Sequence, residues 1–145
     1  RRMVRLLAFA LYAEEYLSCG QAMTHDDEPD LWCKDLTGAI QNWIVVGLPD
    51  ERLLRKACGR ATQVVLLTYG RSADIWWAEN AAKLQRLSNL TVLRLPNETT
   101  QTLATWAARN MTLQCNLQAR DILLTCDKGM LEIDPIVLMG TFREA

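Results

Sequence analysis

Several common site signatures are missing from this chain. It has one histidine, His25, and its five cysteines, Cys19, Cys33, Cys58, Cys115 and Cys126, are widely spaced with no Cys-x-x-Cys pair. That pattern supports neither a zinc cluster nor a disulfide framework, and it reads as reduced, partly buried thiols of a cytosolic protein. There is no Gly-rich phosphate loop, no nucleophile elbow and no His-x-x-x-His pair, and His25 sits among turn residues with no nucleophile beside it. Triad hydrolysis and zinc-peptidase chemistry are thereby disfavoured.

Charge excess is missing too. The formal net charge of −1 gives no global field to attract nucleic acid, so a charged partner has to be met by a local patch. No apolar run reaches the roughly 20 residues of a membrane span. Arg1 and Arg2 before the apolar stretch Met3 to Ala13 imitate a signal peptide, but the stretch passes directly into Glu14 and Glu15 with no small-x-small cleavage site. A buried helix is the reading adopted, in a chain whose start, without an initiating Met, looks truncated.

What is present suits one domain over residues 1–145, half of them apolar. The first helix is expected from about Arg2 to Tyr16, then a short strand near Leu17 to Met23, then a loop at His25-Asp26-Asp27-Glu28-Pro29-Asp30. Ile40 to Leu48, between Gly38 and Pro49, reads as a β-branched strand, and Asp50 caps a helix from Glu51 to about Ala61. Val64 to Thr68 is apolar throughout, as in a strand buried on both faces. A helix over Ala73 to Leu87 and a strand over Thr91 to Leu95 complete a parallel crossover unit. Asn97 or Thr99 starts a further helix to about Arg109. Met111 to Gln118, Ile122 to Cys126 and Met130 to Ile133 read as an antiparallel meander.

Three groups could carry chemistry. Glu14, Glu15, Asp26, Asp27, Glu28, Asp30 and Asp35 concentrate acids near the start, and such acids either hold magnesium or stand as solvated turn residues. Arg52, Lys56 and Arg60 recur every four positions, forming a basic stripe that either meets phosphates or is the wet face of an amphipathic helix. Trp76, Trp77 and Tyr69 serve as packing anchors or as a stacking surface for bases.

The runs His25-Asp26-Asp27-Glu28-Pro29-Asp30-Leu31-Trp32, Trp43-Ile44-Val45-Val46-Gly47-Leu48-Pro49-Asp50-Glu51-Arg52, Arg55-Lys56-Ala57-Cys58, Asp74-Ile75-Trp76-Trp77 and Met111-Thr112-Leu113-Gln114 resemble the bacterial YaeQ family along essentially the whole chain. The resemblance implies a restriction-endonuclease-like mixed sheet flanked by helices, as in the PD-(D/E)XK nuclease superfamily, and an N-terminal strand segment before the first helix. It also implies a magnesium site in which Glu15 is the helix acid, Asp27 or Asp30 the second acid, and Lys56 a lysine moved onto the helix after the central strand. In the family that strand usually reads Trp-Ile-Glu, with an Asp four residues before the Glu. Here those positions are Val45 and Gln41, on one strand face with Trp43 between them. Loss of a carboxylate at both positions weakens a magnesium site built there. Two functions follow as expectations: a non-catalytic module binding nucleic acid or protein through Arg52, Lys56 and Arg60, or a magnesium-dependent phosphodiesterase using Glu15, Asp27 or Asp30, and Lys56.

Overall fold

The computed structural model describes residues 3, 4, 7, 18–20, 31–34, 37–106, 114–118 and 121–142. Their strands form a six-stranded sheet and a separate three-stranded one. The larger sheet is built from β1 (Ser18–Gly20), β2 (Leu31–Lys34), β3 (Ile40–Val46), β4 (Gln63–Thr68), β5 (Leu90–Arg94) and β9 (Ile136–Met139), in that spatial order. Strands β3, β4 and β5 are parallel, whereas β1, β2 and β3 pair antiparallel and β9 lies antiparallel to β5. The sheet is therefore mixed, with a parallel centre joined by α1 (Glu51–Cys58) and α2 (Ala73–Leu84). A third helix, α3 (Asn97–Trp106), leads to the meander of β6 (Gln114–Gln118), β7 (Asp121–Cys126) and β8 (Gly129–Ile133).

The parallel centre explains its own sequence. Along β4, Val64 and Leu66 pack with Trp43, Val45, Val92, Leu54 and Ala57 on the face that carries α1 and α2. Val65 and Leu67 pack with Ile44, Val46, Leu93, Leu103 and Trp106 on the other face, with Ile122, Leu124 and Ile133 of the second sheet. A strand covered on both faces cannot alternate polar with apolar, hence the run Val-Val-Leu-Leu. Its ends are polar and paired: Gln63 Nε2 donates to Thr91 Oγ1 at 3.2 Å, and Thr68 Oγ1 donates to the Leu93 carbonyl at 2.9 Å.

Helix α1 is shorter than its sequence suggests. The backbone stops being α-helical after Cys58, with Arg60 N and Ala61 N both turning back to the Ala57 carbonyl and Thr62 N already bonded to Ile40 O. Asn89 Nδ2 meets the Cys58 and Ala61 carbonyls at 2.9 and 3.1 Å, satisfying acceptors that the helix end leaves open. Arg60 thus belongs to a turn. Helix α2 likewise ends at Leu84, ahead of the expected Leu87. Strands β2 and β9 were not anticipated: the first is a four-residue piece beside a polar segment, and the second is marked only by Ile-Val-Leu-Met after Pro135. Of the expected first helix, Met3, Val4 and Leu7 are helical and buried against the Ile44 and Val46 face, and the rest lies outside the described residues.

Candidate functional site

Strand β3 sets the first constraint. Trp43 and Val45 are buried among Leu54, Ala57, Val64, Leu66 and Val92, beneath α1 and α2, and Gln41 is half-buried on the same side. The buried first-helix residues Met3, Val4 and Leu7 pack on the opposite face, against Ile44 and Val46. Val45 supplies no oxygen and sits in an apolar shell, so the donor set at this point of the strand does not fit a hard cation. Trp43 Nε1 is buried and makes no hydrogen bond among the described residues, an omission that costs about 1–3 kcal/mol.

Helix α1 sets the second. Asp50 adopts extended backbone and its side chain accepts a 3.0 Å bond from Arg52 N, the geometry of an N-cap. That bond, with the positive charge of Arg52, holds the Asp50 carboxyl below its ordinary range despite the opposing effect of desolvation. Leu54 and Ala57 face the sheet, and their spacing turns Arg52, Arg55 and Lys56 toward solvent; Arg60, in the turn after the helix, is exposed as well. Arg55 is held at 2.8 Å by Glu51, one turn earlier, and Arg52 sits 3.6 Å from Asp50. Over residues 50–60 four cations face two acids, a local excess of +2 in a chain whose net charge is −1. Cys58, half-buried at the end of this helix, has its thiol pushed up to about 11 by burial, which makes it a packing residue rather than a nucleophile.

The carboxyl edge of the parallel strands sets the third. Trp76 Nε1 donates to the Pro49 carbonyl at 3.1 Å, fastening the first turn of α2 against the turn that precedes α1. Arg94, the sole charged residue of β3, β4 and β5, ends β5 and lies 2.8 Å from Asp74 at the start of α2. These two links were not anticipated, although an arginine closing an otherwise apolar strand was visible in the sequence. Trp76 and Trp77 are half-buried on the α1 and α2 face, where they pack as anchors.

The expected site residues thus divide. Lys56 and Arg52 stand on the outer side of α1, with Arg60 just beyond its end. Glu15, Asp27 and Asp30 lie outside the described residues. Among the described residues no group of three or more His, Cys, Asp or Glu side chains could hold a metal ion.

A family profile described as YaeQ protein matches residues 1–135. The chain belongs to the YaeQ family. It is 42% identical over 135 residues to the uncharacterized protein YaeQ of Escherichia coli (strain K12), covering 92% of this chain and 75% of that one. With its Salmonella typhi counterpart the identity is 40% over 134 residues, covering 92% and 74%. Two crystal structures share the fold. The YaeQ protein of Xanthomonas axonopodis pv. citri superposes with a TM-score of 0.87 at 38% identity, over 97% of this chain and 80% of that one. That of Pseudomonas syringae gives 0.87 at 30% identity, over 97% and 78%. Both carry the mixed α/β arrangement found here. Among the described residues no helix is long and apolar enough to cross a membrane.

Proposed function

We propose that this YaeQ chain is a non-catalytic, cytoplasmic module that binds nucleic acid through the outer face of α1, on a scaffold of the restriction-endonuclease-like, PD-(D/E)XK kind. The observation that carries the reading is the exposure of Arg52 and Lys56 on a helix whose other side is fixed by Leu54 and Ala57, with Arg60 exposed on the turn that follows it. Arg52 and Lys56, four apart on the helix, are offset by a rise of about 6 Å, a spacing that can follow a phosphate backbone. Binding of that kind reads charge rather than sequence.

The competing reading is a magnesium-dependent phosphodiesterase that uses Glu15, Asp27 or Asp30, and Lys56. The apolar shell around Val45 weighs against it, as does the outward placement of Lys56 on α1. A carboxylate is needed where the strand supplies Val45, and no step of catalysis is assigned to this chain.

The test is fluorescence anisotropy with labelled DNA and RNA over a salt series. Affinity should fall steeply with salt, and Arg52→Ala, Lys56→Ala and Arg60→Ala should each reduce the slope by about one. Salt-independent association, or none at all, would overturn the reading, the former in favour of a protein partner. Magnesium-dependent cutting abolished by Lys56→Ala would replace it with the enzyme.

A further inference from the structure

We propose that Cys19 and Cys33 are a reversible thiol–disulfide pair that locks strand β1 onto β2. The two are well separated in sequence and form no Cys-x-x-Cys motif, so spacing alone does not join them. The sheet does. Antiparallel pairing of β1 with β2 sets Cys19 directly opposite Cys33, between the pairs Ser18 with Lys34 and Gly20 with Trp32. Opposite residues of an antiparallel pair stand on one face, with Cα atoms about 4.5 or 5.5 Å apart according to their place in the ladder. Both separations lie within the roughly 4.4–6.8 Å that a disulfide spans. Strand β1 is outermost in the sheet and pairs only with β2 among the described residues, so it has room for the small approach a bond needs.

The remaining cysteines are placed less well. Cys115 stands opposite Leu124, which puts Cys126, two residues further along β7, on the diagonal, where Cα atoms are roughly 7–8 Å apart. That exceeds the reach of an unstrained bridge. Cys58 has its thiol pushed up to about 11 by burial and so holds little thiolate, the form that attacks a disulfide. The reaction at Cys19 and Cys33 is exchange with a small disulfide such as glutathione disulfide. Two S–H bonds are lost and one S–S bond forms, and the two electrons and two protons leave in two molecules of reduced glutathione. In a reducing compartment the pair rests as thiols and closes under an oxidant load. Closure makes a ring of the chain from Cys19 to Cys33, and that ring contains Asp27 and Asp30.

The test uses the whole chain, reduced, equilibrated with excess glutathione disulfide, blocked with iodoacetamide and digested with trypsin. No Lys or Arg falls between Arg5 and Lys34, so the peptide from Leu6 to Lys34 carries Cys19 and Cys33 and no other cysteine. Its mass should be lower by two hydrogens, with neither thiol alkylated. A second cut before Asp26 by an Asp-specific protease should leave the parts joined until a reductant is added. The oxidised chain should melt about 5 °C or more above the reduced one. Cys19→Ala and Cys33→Ser should each abolish both the mass loss and the gain in melting temperature, and their melting in reductant shows whether they fold; the wild-type mass stands without them. Alkylation of both cysteines, glutathione carried on either one without a bridge, or bonds formed instead between other cysteines or between chains would overturn the proposal.

Discussion

Asn89 joins the end of α1 to the start of β5: its single amide nitrogen donates to the Cys58 carbonyl at 2.9 Å and to the Ala61 carbonyl at 3.1 Å. The two acceptors belong to a turn with no helical donors left, so the side chain replaces the next turn of helix. Asn89→Ala leaves both carbonyls short of a partner in a part-buried place. The expected cost is about 1–3 kcal/mol, read from urea unfolding, with the basic row made less effective because Arg60 hangs from the same turn.

Gly140 and Gly38 form a matched pair of tests. Both have positive φ, +82° and +86°, but a Cβ at Gly140 would lie 2.6 Å from Thr91 Oγ1 and 2.9 Å from Thr91 Cα, whereas at Gly38 nothing among the described residues stands within 4 Å. Gly38→Ala should cost only the left-handed backbone, about 1–2 kcal/mol. Gly140→Ala must also push β5 away, which adds about 1–3 kcal/mol. Equal thermal midpoints for the two variants would contradict the close approach of this turn to Thr91.

Restoring acids to β3 asks whether the strand is a disabled metal site. Val45→Glu places a carboxylate among Leu54, Ala57 and Leu66, where its pKa must rise and stability should drop by about 3 kcal/mol or more. Combining it with Gln41→Asp should not recover that loss. Thermal unfolding with and without magnesium decides the matter: no shift is expected, and a rise on adding magnesium would place a cation site beneath α1.

Asp50 gives the pH dependence. Its carboxyl is held below the ordinary 3.8 in the folded chain, so the stabilisation it provides is present above that value and disappears as pH falls through the lowered folded pKa. Wild type and Asp50→Ala should therefore differ in thermal midpoint at neutral pH and converge in strong acid. A difference that persists unchanged to the acid end would mean the capping bond from Arg52 contributes nothing.

Much of this fold was legible from residue pattern. Val64 to Thr68 read as a strand covered on both faces, Asp50 as a cap, and Met111 to Gln118, Ile122 to Cys126 and Met130 to Ile133 as a meander, because each signal is local and strong. The ends of α1 and α2 were overestimated, since helical spacing continues through Arg60 and Leu87 while the stopping agents, Asn89 among them, come from elsewhere in the chain. Strand β9 depends on pairing with β5, a contact that its own four residues do not announce. For the site, the outward placement of Arg52 and Lys56 followed from helical spacing, whereas Arg60, expected on the same helix, lies in the turn beyond it. The link from Trp76 to the Pro49 carbonyl did not follow from spacing, because it joins segments far apart in the chain.

The apolar uniformity of β4 has a consequence for folding. Strands with one wet face are kept in register by alternation, since a slip of one residue would turn the core outward. Along Val64 to Leu67 a slip exchanges one apolar face for another and carries little penalty of that kind. What distinguishes the correct alignment is at the two extremities, where Gln63 finds Thr91 and Thr68 finds the Leu93 carbonyl. Those two polar contacts work as alignment pins, and removing both together should broaden the native state into neighbouring registers before it unfolds the chain.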